Sequence, residues 1–172
     1  DVNSYRFDGQ DVGLDLRLAV SETDAVNDFS QLDLSYRYYK TVMGKSTFAQ
    51  RVLAGTTNTN VLQYWYYLGG LDRIRGYTDN RFAGRHYLLS NTELRVPVYE
   101  KPNYVIQGTG FVDLLAAGES FEDLGELKGA SAGAGVRVIL PKLYRFVVRL
   151  DVATRLVKED EKDISFGVQQ FF

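Results

Sequence analysis

Tyr144-Arg145-Phe146-Val147-Val148-Arg149-Leu150-Asp151-Val152 decides how the chain is read. Tyr144, Phe146, Val148, Leu150 and Val152 fall on one side of an extended chain, with Arg145, Arg149 and Asp151 on the other. A period of two belongs to a β-strand with one apolar and one polar face. Because the polar side carries full charges, the fold turns on which solvent each face meets.

The same alternation recurs along the chain. Val12, Leu14, Leu16, Leu18 and Val20 oppose Asp11, Gly13, Asp15, Arg17 and Ala19. Leu32, Leu34, Tyr36 and Tyr38 oppose Gln31, Asp33, Ser35, Arg37 and Tyr39, and Phe48, Val52 and Ala54 oppose Ala49, Arg51 and Leu53. Thr92, Leu94, Val96 and Val98 oppose Asn91, Glu93, Arg95 and Pro97; Tyr104, Ile106, Val112 and Leu114 oppose Gln107, Thr109 and Asp113. Ala132, Ala134, Val136, Val138 and Leu140 oppose Ser131, Gly133, Gly135 and Arg137, and Ile164, Phe166, Val168 and Phe172 oppose Ser165, Gly167 and Gln169. This pattern predicts about eight strands of about ten residues, the length that crosses a bilayer when tilted.

Connections carry a second signal. Those around Met43-Gly44-Lys45, Glu100-Lys101-Pro102 and Pro141-Lys142 are tight, whereas residues 21–28, 58–85, 117–128 and 158–162 are longer and more polar. Short and long alternate, as in outer-membrane barrels with short periplasmic turns. A soluble meander or sandwich has the same strand period. Strand length, the turn asymmetry and the charge on the polar face favour the membrane instead. The expected fold class is therefore all-β, an antiparallel transmembrane β-barrel, its apolar face in lipid and its charged face lining a wet lumen. The C-terminus then lies on the periplasmic side.

Composition narrows the function classes. The formal net charge of −2 gives no basic field for nucleic acid. No cysteine is present, so thiol chemistry, disulfides and cysteine-bound zinc are excluded. A single histidine, His86, makes a histidine metal centre or a Ser-His-Asp triad untenable; just before a strand, it reads as a loop or interface residue. No run of about 18 apolar residues predicts a membrane helix. Asp1 opens a polar stretch without a cleavable leader, as in a chain that is mature, excised or continued upstream. Neither cofactor nor metal is expected.

Roughly residues 58 to 85 form the longest interval without a strand pattern. At its centre lies Leu68-Gly69-Gly70-Leu71-Asp72-Arg73-Ile74-Arg75-Gly76-Tyr77. Glycines allow a tight fold and close approach of the backbone. The aromatic run Tyr64-Trp65-Tyr66-Tyr67 argues for order, so the reading is an ordered loop that inserts into the molecule. The run itself reads as the stem of that loop, an aromatic belt or an external patch.

Taken together, Gly69-Gly70 with Arg75-Gly76-Tyr77, Asn91-Thr92-Glu93-Leu94-Arg95 with Pro97, and Phe111 with Asp113 resemble the BamA/TamA superfamily of outer-membrane barrels, in the surface-antigen-type barrel domain. The resemblance covers about Phe29 to Phe172. It implies that the Arg75-bearing loop folds back into the barrel. It also implies that Phe166, Gly167 and Phe172 belong to a C-terminal insertion signal, with Gln170 where that signal carries a hydrophobic residue. Glu93 and Asp113 share the lumen-facing parity of adjacent strands, and a guanidinium can bridge two carboxylates by charge-assisted bonds. The resemblance implies the same lock.

Other clusters read as structure. Gly129-Ala130-Ser131-Ala132-Gly133-Ala134-Gly135 lacks the Lys-Ser/Thr of a phosphate loop and no helix start follows it, so it reads as small residues on a strand that let a loop or a neighbour approach closely. Glu122/Asp123 and Glu159/Asp160 read as solvated loop charge.

A closed barrel of about eight strands is filled by its own side chains and has no room for such a loop. The resemblance implies about sixteen strands, so residues 1–172 read as the C-terminal half, closed by an N-terminal half or by a second copy of the chain. The resemblance implies that its work is insertion, assembly or translocation of outer-membrane proteins or lipid through a lateral seam at residues 163–172, without catalysis. The expected partners are outer-membrane lipid and unfolded outer-membrane proteins, with no nucleic acid. The alternatives are an anchor or exporter of an upstream patatin-like lipase, and a homodimeric barrel.

Overall fold

The computed structural model describes residues 8–19, 29–142, 146–157 and 162–168. Ten strands follow one another: β1 (Gly9–Ala19), β2 (Phe29–Val42), β3 (Ser46–Thr57), β4 (Tyr66–Leu68), β5 (Phe82–Gly84), β6 (His86–Lys101), β7 (Tyr104–Gly118), β8 (Gly129–Ile139), β9 (Val147–Arg155) and β10 (Lys162–Val168). Eight form one sheet in the order β1-β2-β3-β6-β7-β8-β9-β10, and β4 pairs with β5 in a small separate sheet. Every neighbouring pair is antiparallel. The described sheet is open, with β1 and β10 as its edges.

Burial is inverted relative to a water-soluble protein. Leu14 is 70% exposed and Leu150 48%, whereas Glu93, Asp113, Asp151 and Arg137 are 0% exposed. Val12, Leu16, Leu18, Leu34, Val96, Val112, Leu114, Val136 and Val152 share the exposed apolar face. Burying ionised groups while exposing leucine is costly in water. Against lipid the same arrangement places hydrocarbon on hydrocarbon and keeps the charge on the side away from it. Three polar residues of the apolar face satisfy one another: Gln50 donates to Ser90 Oγ (2.9 Å) and accepts from Thr92 Oγ1 (2.7 Å).

Short connections gather at one end of the sheet, where Lys45 beside the β2–β3 turn pairs with Glu100 beside the β6–β7 turn (2.8 Å). There Val105, Ile139 and Val147 form a small apolar cluster on the otherwise polar face. At the other end run the connections 58–85 and 119–128. The larger apolar cluster, Leu53, Leu68, Ile74, Tyr77, Tyr87, Leu89, Leu115 and Ala117, lies between the loop and the sheet.

Two expectations need correction. The interval 58–85 is not free of strands: Tyr66–Leu68 pairs with Phe82–Gly84 and makes the stem of the loop. Tyr66 and Tyr67 belong to that stem, and Tyr66 packs on Tyr87 with ring centroids 4.7 Å apart. His86 is not a loop residue. It opens β6, buried beneath Phe121 (centroids 3.9 Å) and hydrogen-bonded to Thr56 (2.7 Å), because the 119–128 connection folds back over it. In that connection Asp123 accepts from the Ser120 amide and hydroxyl (2.9 and 3.1 Å), which holds its carboxyl below the usual range. Val20, Tyr144, Arg145, Glu159, Asp160, Gln170 and Phe172 lie outside the described residues.

Candidate functional site

The site is built by the loop between β4 and β5 and by the polar face of β6 to β9. Its tip is closed by the Gly70 amide donating to the Tyr77 carbonyl (3.0 Å) and the Arg73 amide donating to Gly70 (3.3 Å). Gly69 and Gly70 stand where the chain leaves β4. Gly70 has φ +77°, and a Cβ there would strike the Asp79 carboxylate. Gly76 has φ +85°, and its added Cβ would come 3.1 Å from that of Ala153. Both positions need a residue at ease in the left-handed region and free of a side chain. The wall is small where the loop meets it: a Cβ on Gly129 would sit 2.9 Å from Ile74 and Phe82.

Arg75 is almost wholly buried. Its Nε and Nη2 donate to the two oxygens of Asp113 (2.7 and 2.6 Å), and its own amide donates to Asp113 Oδ2 (3.1 Å). Nη1 donates to Glu93 Oε1 (2.5 Å) and lies 3.9 Å from Asp151. The Phe111 ring packs under the guanidinium, 3.6 Å from its centroid. The arrangement is a bidentate charge-assisted contact with a cation–π floor, in a place from which bulk water is excluded. Parity accounts for it: Glu93 and Phe111 are register partners, and Asp113 lies two residues beyond Phe111 on the same face.

Sequence reasoning brought Arg75, Glu93 and Asp113 to one place, and the structure brings them together. It did not assign the rest of the network. Glu93 also accepts from Arg137 Nη2 at both oxygens (2.8 and 2.6 Å) and from Arg95 Nε (2.9 Å). Arg149 holds Asp151 through Nε (2.9 Å) and Nη2. The signal available was parity, since all these residues stood on the polar side of their strands.

Tyr77 closes the loop against the wall: its single hydroxyl proton is shared between the carbonyls of Ala130 (3.1 Å) and Val157 (3.3 Å), and its oxygen accepts from the Ala130 amide (3.3 Å). Phe166 and Gly167 lie in β10, paired with Leu150 and Arg149, at the free edge of the sheet. Among the described residues, no group of three or more His, Cys, Asp or Glu side chains is placed to hold a metal ion.

With this geometry in place, comparison with protein families finds a match to the Omp85 superfamily domain over residues 8–172. Comparison with curated proteins finds no match.

Proposed function

The chain belongs to the Omp85 superfamily, whose members work in the outer membrane, and on that premise we propose that residues 1–172 form the C-terminal half of a barrel that inserts or translocates other polypeptides. The inserted loop is the plug and Arg75 its lock. The seam is the free edge of β10, which pairs with the first strand of the completed barrel and opens laterally to admit a substrate strand. Main-chain pairing at such an edge recognises any extended segment, which suits unfolded outer-membrane proteins as clients. The work is done without catalytic chemistry, and the C-terminus faces the periplasm.

One observation carries this reading: the polar, charged face of β6 to β9 is buried, with the loop laid against it, while the opposite, apolar face is exposed. Open edges at β1 and β10 support closure by further strands, because unpaired backbone groups in hydrocarbon cost several kcal/mol each. Upstream strands are the proposed closure.

The test replaces Arg75 in the intact protein and measures insertion of client barrels in cells depleted of the wild type, together with protease resistance of the loop. Arg75→Ala should lose both. Arg75→Lys should recover part, since a single ammonium cannot reproduce the fork that reaches Asp113 and Glu93. Wild-type insertion and a protected loop in Arg75→Ala would refute the lock.

A further inference from the structure

One transverse row of the sheet meets the loop along its whole tip. Arg51 pairs in register with Asn91, Asn91 with Asp113, Asp113 with Ser131, and Ser131 with Arg155, on β3, β6, β7, β8 and β9. The loop crosses this row in chain order. Arg51 Nη2 donates to the Asp72 carbonyl (2.6 Å) and Asn91 Nδ2 to the Arg73 carbonyl (2.7 Å). Asp113 then takes Arg75, and Arg155 Nε donates to the Gly76 carbonyl (2.5 Å). At Ser131 the wall is small enough for the Gly76 backbone, whose added Cβ would lie 3.7 Å from the serine Cβ.

Three of these contacts address main-chain carbonyls, so they do not depend on the loop's side chains. Arg51 also sets the amide of Asn91: its Nε and Nη2 both donate to Oδ1 (2.9 and 2.7 Å), which leaves the nitrogen to face Arg73. Arg51 and Asn91 are themselves buried. A bidentate guanidinium contact tolerates little displacement, and fixing the backbone on both sides of Arg75 supplies that precision.

We propose that Arg51, Asn91 and Arg155 are positioning residues, a backbone clamp that lays the loop across five strands and delivers Arg75 to Asp113 and Glu93. The inference rests on the reading of Arg75 as the lock, and adds that the lock is set by contacts in which the Arg75 side chain has no part.

The experiment is hydrogen exchange, followed by mass spectrometry, of the loop segment 69–78 in the intact, membrane-inserted protein. Asn91→Asp keeps the size and the oxygen that Arg51 uses, but loses the donor to Arg73. Arg155→Gln loses the charged donor to Gly76, and Arg155→Lys retains a charged one. Asn91→Asp and Arg155→Gln should each speed exchange of this segment roughly tenfold, the worth of one buried hydrogen bond. Exchange in β7 and β8 should stay unchanged, and Arg155→Lys should restore most of the protection.

Arg75→Ala run alongside separates the two ideas. Fast exchange there, with wild-type protection in Asn91→Asp and Arg155→Gln, refutes the clamp and leaves the lock standing. Wild-type protection in Arg75→Ala refutes the lock; the clamp then stands if Asn91→Asp and Arg155→Gln still speed exchange, and falls if they do not. Accelerated exchange throughout β6 to β9 in the clamp variants also overturns the proposal, because these residues would then only hold the sheet together. If Arg155→Gln does not insert, the isosteric Asn91→Asp decides the question alone.

Discussion

Asp113→Asn isolates the contact dedicated to the loop. Asp113 takes Arg75 through three hydrogen bonds, two from the guanidinium at 2.7 and 2.6 Å and one from the amide at 3.1 Å. Glu93 is different, since Arg137 and Arg95 hold it to the wall whether or not the loop is docked. Asparagine removes the charge and one of the two oxygens. Depriving a buried ion pair of one partner costs about 3–5 kcal/mol. The lower end applies here, because Arg75 keeps Glu93 while docked and regains water when released. About 3 kcal/mol corresponds to roughly two orders of magnitude in the docking equilibrium.

Ile74 reports that equilibrium: it is fully buried between loop and wall, and the chain has no cysteine. In an Ile74→Cys background, thiol labelling should run roughly a hundredfold faster with Asp113→Asn than without it, following the same conversion. Resistance of the whole sheet to urea should change little. Glu93→Gln should do both, speeding labelling because Arg75 loses a charged acceptor and lowering sheet stability because Arg95 and Arg137 lose their shared anion. Equal labelling rates with and without Asp113→Asn would refute the assignment of Asp113 to the loop.

Other substitutions follow from the same geometry. Gly76→Ala should weaken docking by about 1–2 kcal/mol, the cost of a left-handed conformation for a residue with a Cβ, read as faster thiol labelling at Ile74→Cys. Tyr77→Phe removes the donor to Ala130 and Val157 and should cost about 1 kcal/mol by the same assay. Leu150→Arg, on the exposed apolar face, should destabilise the protein in bilayers by about 2–4 kcal/mol if it sits near the midplane. In a water-soluble sheet the same change would stay within about 0.5 kcal/mol, so unfolding in lipid vesicles distinguishes the two.

Much of the architecture was legible because a strand repeats every two residues. Leu14, Leu34, Val96, Val112, Val136 and Leu150 could be assigned to one face from the sequence, and Glu93, Asp113, Arg137 and Asp151 to the other. That parity also placed Glu93 and Asp113 on adjacent strands within reach of one guanidinium. β4 and β5 were not legible, since strands of three residues are too short to show a period. His86 reads as a loop or interface residue just before the strand; it opens that strand and sits at the interface with Phe121, a cover distant in sequence. Val105 and Val147 escaped the reading as well: they break the alternation at the strand ends, where Ile139 joins them and the lumen face turns apolar. The row from Arg51 to Arg155 depends on register across five strands, which the alternation of each strand alone does not specify.

That row has a mechanical consequence. A segment tied at intervals to neighbouring strands behaves as a strut laid across one face of the sheet, and it constrains how far those strands can bend relative to one another. Flattening or tightening the curvature changes the spacing between Arg51 and Arg155, and with it the fit of every tie between them. The fit of the loop and the bend of the sheet therefore respond to one strain, and a force that spreads β3 from β9 changes the geometry at Arg75.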